Sequence, residues 1–498
     1  MSKNNSIVKY VAGAFAWGVV TKFLDAAIKF LTIPLLLGYF GKEDYGLLTL
    51  AIATNAYMHL LDMGLNTGGI KFFSQWLASG NYNLVYRVAR TNISFYLIIG
   101  LVNSIVLLFI ATWGRGLFNV THGEFVTFRY LLYILATFSI VNWITFVFNQ
   151  LLIADERIAF TQQMASVRSL LGLAAVGATA LFKWSLIQYF VTYVAVHASV
   201  IFPYIYLCKR RKLISSILPA FYWEDFTVVF KYGLAILAMA VFQFTATHSR
   251  PLILAMFSSE GVVILTEYRI IEVFPIFIIS IGGMMLSIFL PKTSRAIQNN
   301  DRRTIERIAY EGTKYTSILV ALLCFPIMLS ARELLMLYVG VEYSYLSPWL
   351  FLWVFTLTLS LHNSPVSSLV LATGRTKMLV FSSACACITS VVINMMLTRE
   401  YGVGSAVIGY LIYIIIQISF YYLYFNRKVL GLKSSKVFKS FIIPTCLGLV
   451  CFVAVYFIKI EIDLLILKIV VKTIIWGLFY LLLLLCFKVV EIKRNVQL

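Results

Sequence analysis

Lys22, Asp25, Lys29 and Thr32 follow one another at steps of three, four and three residues, which on a helix gathers them within an arc of roughly 80°. The residues between them are almost all apolar, so this is a charged stripe on a helix otherwise suited to lipid. A charge at the centre of a bilayer costs about 2.5–3.5 kcal/mol on insertion scales, and three on one stripe about 8–10 kcal/mol together, so the stripe must face protein or water. Asn55, His59, Asp62 and Asn66 repeat the pattern at steps of four, three and four, and Gln243, Thr247 and Arg250 form a third stripe just before Pro251. Glu267, Arg269 and Glu272 open a later apolar run, and Arg168 lies inside another.

Two kinds of chemistry fit these residues. In one they are internal ion pairs that fix helix packing, with Lys22 and Lys29 clasping Asp25, and with Arg269 neutralising Glu272 three positions on. In the other, Lys22, Lys29, Arg250 and Arg269 hold an anionic group in a hydrated cavity. Arg suits a diphosphate by forked hydrogen bonding and Lys acts as a point charge. Asp25, Asp62, Glu267 and Glu272 are then cavity or coupling carboxylates. With Arg168 included, five cations face four carboxylates, so the excess of positive charge is a single unit. No nucleophile elbow, phosphate-binding loop, paired catalytic carboxylates or metal-ligand spacing occurs, and the expectation is of no enzyme, no cofactor and no metal. The seven cysteines fall in or beside apolar runs without metal-type spacing and are read as small packing residues. His197 and His362 are read as hydrogen-bonded packing residues. Lys468 and Lys472 are expected to snorkel to the membrane interface.

The elements that must position these groups are apolar helices. Of 498 residues, 61% are hydrophobic and 12% charged, with a mean hydropathy of +0.88, where soluble chains carry roughly 45–50% apolar and about 25% charged residues. Runs long enough to cross a hydrocarbon core of about 30 Å recur throughout. The predicted fold is all-α and polytopic, with about fourteen spans: 11–38, 45–72, 91–113, 128–154, 165–182, 185–207, 229–257, 262–290, 314–331, 347–372, 379–397, 404–424, 438–458 and 464–487. The first run continues past Lys22 and lacks a small-residue cleavage site, so it is expected to stay as an uncleaved helix.

A net charge of +20 would suit nucleic acid if it were clustered, but Lys and Arg are distributed by side. With the N-terminus in the cytoplasm, the cytoplasmic segments carry several-fold more of them than the opposite ones. This is the positive-inside pattern, and an even number of spans puts both termini in the cytoplasm. Nucleic acid is excluded as a partner, and membrane lipid is expected.

Residues 34–49 align without gaps on 251–266, with seven of sixteen positions identical, and 74–89 resembles 294–309 at nearly the same offset. A repeat of six helices keeps its orientation, so two six-helix lobes, 1–220 and 221–430, should be related by a pseudo-twofold along the membrane normal. Residues 431–498 form an added C-terminal helix pair.

The run Gly38-Tyr-Phe-Gly41-Lys-Glu-Asp-Tyr45-Gly46, the Asp62-Met-Gly64-Leu pattern, and Pro291 followed by Ser294 and the Asp301–Arg307 segment resemble the Wzx-type polysaccharide flippases of the multidrug/oligosaccharidyl-lipid/polysaccharide (MOP) exporter superfamily. The resemblance spans essentially the whole chain. It implies alternating-access transfer of an undecaprenyl-diphosphate-linked oligosaccharide from the cytoplasmic to the periplasmic leaflet of a bacterial inner membrane, for O-antigen, lipopolysaccharide, capsule or exopolysaccharide assembly. It further implies that Lys22, Lys29 and Arg250 contact the diphosphate or acidic sugars and that Asp25 and Asp62 serve H+ or Na+ coupling. Other polysaccharide-assembly proteins are implied as partners. The competing readings are a multidrug or organic-cation antiporter, in which Asp25, Asp62 and Glu267 bind the cation, and a membrane-embedded glycan polymerase or glycosyltransferase.

Overall fold

In hydrocarbon no water satisfies backbone N–H and C=O groups, so an apolar chain of this kind closes its hydrogen bonds within helices. The computed structural model describes residues 2–373, 377–487 and 489, and for 2–17, 19, 20, 61, 63, 235, 239, 281–292, 294 and 295 it describes the backbone only. The side chains of Pro291 and Ser294, used in the sequence reading, therefore lie outside the described residues. The described residues are all-helical, without a strand.

Close contacts divide the chain into two units, 1–269 with 394–403, and 270–393 with 404–498. The first contains α1 (Ser2–Met58), α2 (Asp62–Ala78), α3 (Tyr82–Trp113), α4 (His122–Ala154), α5 (Ile158–Phe182), α6 (Leu186–Ser199), α7 (Ile201–Arg210), α8 (Trp223–His248) and α9 (Arg250–Phe257). Helix α10 (Val263–Gln298) begins in the first unit and continues in the second. The second also holds α11 (Arg302–Arg307), α12 (Thr313–Leu329), α13 (Ala331–Val339), α14 (Ser347–Leu361), α15 (Ser364–Ala372), most of α16 (Lys377–Tyr401), α17 (Gly404–Phe420), α18 (Ser434–Tyr456) and α19 (Leu465–Cys486).

Among the described residues eleven helices are long and apolar enough to cross a membrane, or twelve if the bent helix at 223–248 counts as one span. That measure falls short of about fourteen for local reasons. Thr21–Met58 counts once, although Gly41, at φ 82° and ψ 177°, breaks α1 where the sequence reading ends its first span. A side chain at that φ would be strained, so glycine makes the break. The second predicted span runs through the end of α1, a tight turn at His59–Leu61 and α2, and the eighth falls on α10, whose side chains are described only in part.

Sequence explains several helix ends. Thr121 with Glu124, and Ser185 with Gln188, form reciprocal capping boxes at the starts of α4 and α6. Proline follows Arg250 at the α8–α9 break and follows Ser364 at the start of α15, positions where its missing N–H costs nothing. The core of the first unit packs Phe73, Tyr96, Trp143, Phe148 and Phe226 between α2, α3, α4 and α8. In the second unit Phe325, Trp476 and Tyr480 tie α12 to α19. Large apolar side chains such as Ile105, Leu181, Phe202 and Leu423 point outward, as a lipid-facing surface requires.

Candidate functional site

On α1 the predicted stripe contains an ion pair. Lys29 Nζ lies 2.8 Å from Asp25 Oδ2, with the two side chains 54% and 43% exposed. Ser169 Oγ donates to Asp25 Oδ1 at 3.2 Å, and one turn earlier Thr21 and Ser166 share a 2.9 Å hydrogen bond, so α5 lies along the polar face of α1. Thr32 Oγ1 donates back to Lys29 O, and Lys22 is exposed.

The second stripe is divided between two surroundings. Asp62 is buried and accepts a hydrogen bond from Tyr96 Oη of α3. Gln150 Nε2 of α4 donates to Tyr96 Oη at 2.8 Å, and Asn92 Nδ2 donates to Gln150 Oε1 at 2.7 Å. Glycines make room for this chain of contacts: a Cβ on Gly69 would sit 2.2 Å from Gln150 Oε1, and one on Gly64 would sit 2.0 Å from Gly233 O of α8. Asn92, Tyr96 and Gln150 were not singled out from the sequence, although polar residues inside apolar runs are the signal that would have found them.

Asn55 and His59, from the same stripe, instead line a cavity of about 290 Å³ inside the first unit. Asn103 Nδ2 donates to Asn55 Oδ1 at 3.1 Å and to Ser139 Oγ at 3.0 Å, while Ser139 Oγ donates to Gly100 O. His59 stacks on Trp143 with ring centroids 5.1 Å apart. The lining also includes Arg168 of α5 with Tyr193 and His197 of α6, and His197 Nδ1 lies 2.9 Å from Tyr193 O. Of the charges selected from the sequence, Arg168 lines this cavity, while Asp25 and Lys29 pair on α1 and are tied to α5 through Ser169, the residue after Arg168. Arg250 and Glu267 are buried in the first unit, Arg250 at the head of α9 and Glu267 on α10. Glu272 is half-buried and lies past the division between the units.

In the second unit Lys468 and Lys472 do not reach outward as expected. Lys472 Nζ lies 2.5 Å and Lys468 Nζ 3.7 Å from Glu333 Oε1 on α13. Glu333 stands beyond the spanning segment that ends at Leu329. Burial alone would push its carboxyl up, but the Lys472 hydrogen bond and the charges of both lysines hold it below the usual carboxylate range. His362 is a packing residue, stacked on Phe441 at 3.8 Å with Nε2 3.0 Å from Tyr422 Oη. No cluster of His, Cys, Asp and Glu suited to a metal occurs among the described residues, and Cys208, Cys324, Cys387 and Cys451 are buried free thiols.

No protein-family model and no curated protein matches the sequence. Solved structures do match its fold. The chain superposes on "Lipid II flippase MurJ, inward closed conformation" with a TM-score of 0.74 at 13% identity, over 95% of this chain and 99% of that one. An inward-facing multidrug resistance MATE family transporter of the MOP superfamily gives 0.66 at 14% identity, covering 83% and 96%. A Pyrococcus furiosus MOP superfamily transporter, for which the reverse polarity of the binding pocket suggests a different function, gives 0.57 at 13% identity, covering 86% and 94%. The chain has the fold of the MOP superfamily transporters.

Proposed function

We propose that this protein is a MOP-type transporter that flips an undecaprenyl-diphosphate-linked oligosaccharide from the cytoplasmic to the periplasmic leaflet. The observation that carries the reading is the Asp25–Lys29 pair: two charges about half exposed on a membrane helix. Hydrocarbon would make that exposure costly, so the surface they occupy is a water-filled route. A sugar headgroup needs such a route while its prenyl tail stays in lipid. The whole-length likeness to a lipid II flippase supports this cargo class.

The lobes 1–220 and 221–430 would exchange orientation about a midplane site, with 431–498 as an appendage. Lys22, Lys29, Arg250 and Arg269 would engage the diphosphate or acidic sugars, and Asp25, Asp62, Glu267 and Glu272 would serve the counter-charge or an H+ or Na+ coupling step. The site is an inner membrane with both termini cytoplasmic, and the product feeds O-antigen, lipopolysaccharide or capsule assembly by other proteins. A multidrug antiporter of the same fold would need carboxylates facing its cargo. Among the described residues no carboxylate lines the cavity of the first unit, and Asp62 there is engaged by Tyr96.

The test is complementation of a strain lacking its polysaccharide flippase, followed by sidedness analysis of the lipid-linked glycan. The expected result is restored surface polysaccharide with the glycan accessible from the periplasm. Retention on the cytoplasmic leaflet despite good expression would falsify the reading.

A further inference from the structure

Inside the first unit the 290 Å³ cavity carries features that packing alone does not require. Its size is at the small end of the about 300–1,000 Å³ of small-molecule pockets, enough for one sugar ring. Its wall combines carboxamides (Asn55, Asn103, Asn142, Asn149) with the aromatic rings of Tyr193 and Trp143. A carboxamide both donates and accepts, as a ring of hydroxyls demands, and aromatic faces suit the apolar face of a pyranose. Asn103 is 2% exposed, and its Oδ1 has no hydrogen-bond partner although its Nδ2 has two. A buried acceptor left unmade costs about 1–3 kcal/mol, so a small turn of this carboxamide toward a hydroxyl in the cavity would be favourable.

The one ionic side chain in the wall, among the described residues, is Arg168. Asp25, bonded to the neighbouring Ser169, is already held by Lys29 and does not line the cavity. A guanidinium inside a membrane unit without a carboxylate beside it in the wall calls for an anion.

We infer that this cavity is a subsite for a single acidic sugar unit, its carboxylate on Arg168 and its hydroxyls on Asn55, Asn103 and Asn142. The inference rests on the proposed function in that the sugar belongs to the translocated glycan, and it adds a site within one unit that selects for an acidic residue in the repeat.

The probe is glucuronic acid, titrated calorimetrically into the full-length protein in nanodiscs, with glucose and inorganic phosphate as comparisons. Saturable glucuronate binding is expected, at least about tenfold tighter than either comparison, which is about 1.4 kcal/mol. Arg168→Gln should lose about tenfold in glucuronate affinity, and Arg168→Lys should recover part of it. Asn142→Leu, which fills space while keeping Arg168, should abolish binding of both sugars. Thermal unfolding of each variant separates misfolding from loss of the site. Purified lipid-linked glycan from the host should compete with glucuronate.

Absence of saturable binding overturns the proposal, as does equal affinity for glucose, equal affinity for phosphate, or wild-type affinity in Arg168→Gln. Failure of the lipid-linked glycan to compete overturns the link to the cargo. Loss of this site with flipping intact would remove the subsite alone, whereas binding without flipping would remove the transport reading.

Discussion

Two ionic clusters on membrane helices use the same chemistry in opposite settings. Lys29 meets Asp25 at 2.8 Å with both side chains about half exposed. Lys472 meets Glu333 at 2.5 Å with the side chains 14% and 13% exposed, and Lys468 stands behind at 3.7 Å. Distance does not distinguish them, but access does. The first pair is local, four residues apart on one helix, and open on its outer side. The second joins chain segments 139 residues apart and acts as a staple between α13 and α19. Under the proposed function, the comparison sets a charge open to cargo against one that holds helices together.

The largest effect should come from the exposed pair. Lys29→Gln is expected to reduce transport at least about tenfold, the weight of one charge-assisted contact, with unchanged thermal unfolding in detergent. Normal flipping would move that pair into the same structural class as the staple. Glu333→Gln should do the reverse: it leaves two lysines beside an uncharged amide and is expected to cost up to about 3 kcal/mol of stability, while transport per folded molecule stays near wild type. A melting temperature unmoved by this change would show the staple to be idle.

Within the staple, Lys472→Met should destabilise more than Lys468→Met, which, at the longer distance, is expected to stay within about 1 kcal/mol. Equal effects would mean that both lysines share the carboxylate equally. Acid provides a finer comparison. Because the folded protein holds the Glu333 carboxyl below its ordinary value, its contribution is complete above that ordinary value and disappears as pH falls through the lowered one. Stability of the wild type should therefore decline over that acidic window, and Glu333→Gln should flatten the decline.

The smallest effect is expected at Asp301, an exposed carboxylate lowered by the Thr304 hydroxyl and backbone N–H at the start of α11. Asp301→Ala should speed amide exchange at Thr304 without affecting transport. Unaltered exchange would deny the cap any role.

The helices were legible because hydrophobic run length is a property of the chain alone. Each predicted span coincides with a helix or a broken helix, and Gly41, named in the sequence pattern, marks the first break. The Lys29–Asp25 contact was equally readable, since four residues is one turn. What the sequence could not supply was pairing over distance. Nothing local to Lys472 indicates Glu333, so the reading sent both lysines to the interface. Likewise the stripe from Asn55 to Asn66 looked like one face, whereas the tight turn at His59–Leu61 directs Asn55 and His59 into the cavity and leaves Asp62 to Tyr96. Helical periodicity assumes an unbroken helix, and the error enters where that assumption ends.

At Gly64 and Gly233 two helices meet with no side chain between them, since either added Cβ would strike the other's backbone. Parting helices in such contact would open a void in close-packed matter, and a methyl group at Gly64 would force them apart. The crossing of α2 and α8 therefore leaves evolution one residue to choose from at that point.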